Sequence, residues 1–111
     1  MIEVLLVCGK DGAFKSCNAS GHAGFAAKGK DIVCAAVTEL LRTAVQVLQK
    51  TEGMTVKTET PSRGKLAFSV EDNGCSMKIE RLRCTADFIR LGVTNLAQEY
   101  PANVQLRELS E

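Results

Sequence analysis

From Ile2 to Cys8 the chain is almost continuously apolar and rich in valine and leucine, the pattern of a buried strand. Gly9-Lys10-Asp11-Gly12 is a turn signal, and Ala13 to Ser20 alternates weakly, as the returning strand of a hairpin does. Gly21-His22-Ala23-Gly24 then interrupts the regular pattern. Phe25 to Lys30 contains Gly29 and the lysines Lys28 and Lys30, and reads as an exposed, mobile loop. Beyond it, Val33, Ala36, Val37, Leu40, Leu41, Ala44, Val47 and Leu48 recur at a helical period with a broad apolar face. This helix is expected to begin near Asp31, whose carboxylate suits the free N–H groups of a first turn, and to end between Lys50 and Gly53.

Met54 to Thr60 alternates as a half-exposed strand, and Pro61-Ser62-Arg63-Gly64 is a turn. Lys65 to Glu71 returns with Leu66, Phe68 and Val70 on one face, and Asp72-Asn73-Gly74 closes it. A second helix is expected from about Ser76 to Tyr100, its stripe running through Ile79, Leu82, Ala86, Ile89, Val93, Leu96 and Tyr100. Pro101 stops it, and Val104 to Leu109 reads as a final strand. The order is ββαββαβ. Burying both helical stripes most simply gives an α+β fold of two layers, two helices packed on one face of a mostly antiparallel sheet.

A length of 111 residues predicts one domain, residues 1–111, with one ordinary core. A composition of 45% hydrophobic and 24% charged residues is that of a globular chain and argues against disorder. The net charge of +1 gives no global pull toward nucleic acid or membrane, and four Phe, one Tyr and no Trp make a base-stacking platform unexpected. Met1 to Val7 is apolar but has no basic leader or small-residue cleavage site, and no run approaches the roughly 20 apolar residues of a membrane span. A cytoplasmic protein is expected. The five cysteines, Cys8, Cys17, Cys34, Cys75 and Cys84, are odd in number and lack C-x-x-C spacing, so no disulfide framework, metal site or cofactor is expected. Cys8 and Cys17 read as core thiols, Cys84 as close to the apolar stripe of its helix, and Cys75 as exposed beside a turn.

The chain has one histidine, His22, and therefore one natural general base near neutral pH. It lies in a glycine turn, a short chain distance before Cys34 on the opening turn of the first helix. Unpaired N–H groups and the macrodipole there favour a thiolate, and the same N–H groups suit the oxyanion of a tetrahedral intermediate. Cys34 is the candidate nucleophile and His22 the general base and acid, the parts of a cysteine protease. Asp31 or the hydroxyl of Thr38, one turn beyond the cysteine, is placed to orient the imidazole or shape the helix start. Gly21 and Gly24 either supply positive φ to a tight turn or let a substrate backbone approach closely.

Gly21-His22-Ala23-Gly24 followed by Gly29-Lys30-Asp31-Ile32-Val33-Cys34-Ala35-Ala36-Val37 resembles the signature of the ribosomal-processing cysteine protease Prp family, and the similarity runs over nearly the whole chain. The resemblance implies a catalytic dyad of His22 and Cys34, with Asp31 at the acidic position before Ile-Val-Cys. Thr38 stands where the family usually has serine, keeping the hydroxyl and adding a methyl. It also implies a flexible loop near Phe25 to Lys30 and a homodimer. The implied reaction removes the short N-terminal extension of ribosomal protein twenty-seven of the bacterial large subunit. The ribosomal protein precursor is then the partner, with no membrane and no direct nucleic acid contact expected.

Two other readings compete. A non-catalytic ribosome-associated binding module would use the lysine-bearing loop with Arg81, Arg83 and Arg90, but Glu80 and Asp87 interleave with these as on a solvated helix face. A thiol redox protein would need another cysteine to approach Cys34 in space.

Overall fold

The computed structural model describes residues 1–22, 24, 26–27, 31–60, 64–71 and 78–111. The mobile-loop reading at Phe25 and Lys28 to Lys30, most of the turn at Pro61 to Arg63, the Asp72 to Gly74 turn and Cys75 lie outside the described residues. The elements run β1 (Ile2–Cys8), β2 (Phe14–Ser20), α1 (Ile32–Gln49), β3 (Val56–Glu59), β4 (Lys65–Val70), α2 (Ile79–Glu99) and β5 (Val104–Ser110). The fold is α+β: five strands form one mixed, mostly antiparallel sheet in the order β3-β4-β2-β1-β5, with β5 the one strand parallel to its neighbour.

Strand alternation sets which side chains meet the helices. Val4 pairs with Ala19 and Leu6 with Cys17 across β1 and β2, and Cys17 pairs in turn with Phe68 of β4. These residues are all buried and belong to one core with Val33, Val37, Leu41 and Leu48 of α1 and Ala86, Ile89 and Val93 of α2. Phe14 and Phe68 stack at a ring-centroid distance of 5.4 Å across the same face. Between Val7 and Cys8 the register shifts, leaving Lys15 of β2 without a partner in a β-bulge.

By length and composition α1 is apolar enough to cross a membrane, but six of its residues (Val33, Val37, Leu41, Ala44, Val45 and Leu48) are buried as a core stripe. The stripe is rotated slightly from the one expected. Val45 is buried, whereas Val47 is 40% exposed because it sits on the flank with Ala36 and Leu40. Met54 to Thr60 shortens to a four-residue strand, since β4 pairs only with Val56 to Glu59. Of the expected second helix, Ser76 and Met77 are outside the described residues, and α2 starts at Ile79. Cys84, expected near the apolar stripe, is exposed, because the buried face of α2 runs through Thr85, Ala86, Ile89 and Val93.

Candidate active site

The site forms where β2 ends, β4 begins and α1 begins. Ser20 pairs with Lys65, and the ladder gains one more bond beyond it, from the Gly21 N–H to the Gly64 carbonyl at 2.9 Å. Gly21 has φ +99, and a Cβ there would run into the Met1 carbonyl oxygen, so both backbone conformation and space demand glycine. The chain turns out of the sheet at this point and presents His22 at the rim, exposed to solvent.

Asp31 caps α1. Its Oδ1 accepts from the N–H groups of Val33 and Cys34, both at 3.0 Å, and its Oδ2 accepts from the Ala26 N–H at 3.3 Å. Of the two roles open to Asp31, the structure shows the one that shapes the helix start. One carboxylate thereby ties the approach to the helix to the turn that carries the thiol. Two of the free N–H groups of the first turn, those of Val33 and Cys34, are thus bonded to the Asp31 carboxylate. The macrodipole at this end of α1 still favours negative charge.

Gly21, His22, Gly24, Asp31, Cys34 and Thr38 all line one cleft of about 990 Å³. Its apolar floor includes Ile2, Ala19, Val37, Leu41, Val45 and Leu66, with Thr58, Thr60, Lys65, Glu39 and Arg42 as polar lining. Gly24 has φ +70, a conformation that favours glycine, and among the described residues nothing lies within 4 Å of its missing side chain. Cys34 is half-buried and reaches the cleft, unlike the core thiols. Cys17 is 1% exposed, and burial pushes its thiol up to about 12, which keeps it protonated and inert. Burial also raises the Cys8 thiol, against the opposing pull of Arg90, whose Nη2 lies 3.8 Å from the sulfur. Among the described residues, Cys8, Cys17 and Cys84 are free thiols. Among the described residues, no group of three or more His, Cys, Asp or Glu side chains gathers as metal ligands.

Gly64, Lys65, Thr58 and Thr60 were not singled out in the sequence. They reach the cleft only because β4 pairs with both β2 and β3, and a turn glycine carries no signal of what will pack on it.

Comparison with known proteins gives the class first. The chain is a cysteine protease. The match is to a particular family: the model described as cysteine protease Prp covers residues 1–105, and the chain belongs to that family. The ribosomal processing protease Prp from S. aureus, in complex with a covalently linked product peptide, is similar in structure, with TM-score 0.83 and 19% identity. That match covers 98% of this chain and 100% of the other. The same S. aureus protease in complex with a substrate peptide matches with TM-score 0.78 and 18% identity, over 98% of this chain and 100% of the other. The protein SMU.848 from Streptococcus mutans matches with TM-score 0.79 and 28% identity, over 100% of this chain and 96% of the other. No curated protein matches at a significant level.

Proposed function

We propose that this protease is a ribosomal-processing endopeptidase that removes the N-terminal extension of ribosomal protein twenty-seven of the large subunit, using Cys34 and His22. The observation that carries the reading is that His22, just past the end of β2, and Cys34, on the first turn of α1, line the same cleft in a member of the Prp family. The S. aureus relatives with bound product and substrate peptides support a peptide substrate and a ribosomal target.

In this mechanism Cys34 Sγ attacks the scissile carbonyl as its proton passes to the His22 imidazole. The tetrahedral intermediate collapses as the C–N bond breaks, and His22 returns the proton to the departing amine. Water then attacks the thioester, giving up a proton to His22, and the Cys34 thiol leaves with that proton restored. The helix N-terminus stabilises the thiolate through the macrodipole. Asp31 holds the geometry of the turn. Thr58 of β3 lines the cleft, and β3 is an outer strand of the sheet with Lys57, Thr58 and Glu59 exposed, an edge that an extended peptide could join.

The test is cleavage of the organism's own precursor by wild type and Cys34→Ala, with mass spectrometry reading the new N-terminus. Trimming by wild type alone supports the proposal. Trimming by neither, with both proteins folded, overturns it, and salt-dependent RNA binding that survives Cys34→Ala would then favour the binding module. On the family likeness we read the enzyme as a cytoplasmic homodimer, which sedimentation at micromolar concentration and cell fractionation test.

A further inference from the structure

We infer that Gly64 is a positioning residue for the cleavage reaction: its bare backbone is the surface against which the His22 imidazole is set. The inference rests on the reading of His22 as the general base. A Cβ at position 64 would stand 2.9 Å from His22 Cε1 and 3.0 Å from Nε2. Contacts that short are not sustained by a real methyl group, so any side chain at 64 moves the ring. The edge displaced is the one that carries Nε2, one of the two nitrogens through which an imidazole exchanges protons.

A second observation places the same two segments together independently of the ring. The Gly21 N–H donates to the Gly64 carbonyl at 2.9 Å, continuing the β2–β4 ladder past Ser20 and Lys65. The residue before His22 is therefore held to Gly64 through the backbone, and the imidazole lies over the same residue. His22 is exposed, so a ring pushed by a methyl group has solvent to swing into. The consequence falls on the reach from His22 to Cys34 rather than on the core.

Gly64 also has φ +80, which strains any L residue. Gly53 separates the two effects: its φ is +79, and nothing lies within 4 Å of its missing side chain. Gly53→Ala carries the backbone strain without the contact and lies outside the cleft.

The experiment compares wild type, Gly64→Ala, Gly53→Ala and His22→Ala on the precursor peptide. We expect kcat of Gly64→Ala to fall by roughly one to two orders of magnitude with KM within about twofold, the signature of a misplaced catalytic group. Gly53→Ala is expected to keep kcat within about twofold of wild type while losing similar thermal stability. The pH dependence of Cys34 alkylation by iodoacetamide, which needs no substrate, is expected to shift in Gly64→Ala and not in Gly53→Ala. Equal kcat and equal alkylation profiles in the two alanine variants would overturn the inference.

Wild-type protein supplies a check that does not depend on the variant folding. With one histidine in the chain, the imidazole Cε1 proton gives one NMR signal, and it should show a nuclear Overhauser contact to the Gly64 α protons. Absence of that contact overturns the inference. Full activity in His22→Ala overturns the dyad, and with it the role of Gly64, even where the NMR contact is present.

Discussion

The carboxylate of Asp31 accepts a hydrogen bond from the backbone N–H of Cys34 at 3.0 Å, so the cap of α1 is bonded directly to the residue that carries the thiol. The same oxygen also holds the Val33 N–H. A cap of this kind contributes about 1 kcal/mol. Asp31→Ala is expected to lose that amount in urea unfolding, and Asp31→Asn, an equally good cap, to lose much less. Cleavage by Asp31→Asn should stay near wild type. A hundredfold loss of kcat in Asp31→Asn with stability intact would assign the carboxylate to the imidazole instead.

Replacing the thiol at Cys34 leaves the packing almost unchanged, because the residue is only half-buried. Cys34→Ser is expected to keep stability within about 0.5 kcal/mol of wild type. Its cleavage rate should drop on the order of a thousandfold or more, since a hydroxyl is far harder to ionise than a thiol. Cleavage within tenfold of wild type would remove Cys34 from the chemistry.

Burial of Cys17 makes stability fall in alkali. The unfolded thiol ionises near its ordinary value of 9.0, and the folded thiol near 12. Between these values the unfolded chain holds fewer protons than the folded one, so unfolding free energy drops as pH rises, by up to about 1.4 kcal/mol per pH unit. Below pH 9 the contribution is fully present. Urea titrations at pH 8 and about pH 10.5 should show a smaller drop for Cys17→Ala than for wild type. Equal drops would assign the loss to other groups.

Gly92 is where α2 meets α1. A Cβ at that position would run into the side chain of Leu40. Alanine gains about 1 kcal/mol over glycine in a helix, whereas overpacking costs about 1–3 kcal/mol. Gly92→Ala is therefore expected to destabilise by about 1 kcal/mol with Leu40 present and to stabilise by up to about 1 kcal/mol in a Leu40→Ala background. A double-mutant cycle measures the coupling, and a coupling indistinguishable from zero would show that the helices re-space without cost.

Much of the fold is legible from local pattern. β1 and α1 fall within a residue of their expected bounds because a solid apolar run and a cap followed by a helical stripe are short-range signals. Asp31 is an N-cap because carboxylate chemistry suits free helix N–H groups whatever surrounds them. The burial of Val45 in place of Val47 was not legible, since the rotation of a broad apolar face depends on what packs against it. The exposure of Cys84 beside a buried Thr85 and Ala86 has the same cause.

The residues of the chain alone specify the element order, the helix start at Asp31 and the candidate pair of an imidazole and a thiol, His22 and Cys34. Each is written in turn chemistry, hydrophobic period and residue type, all of which act over a few positions. Strand order, the parallel pairing of β5 with β1, and the arrival of Gly64 beneath His22 come from long-range pairing. So does the commitment of the cleft floor to residues from β1, β2, β4 and α1. Those contacts are set by which surfaces bury one another across the sheet, and no local property of the glycine at position 64 encodes the ring that rests on it.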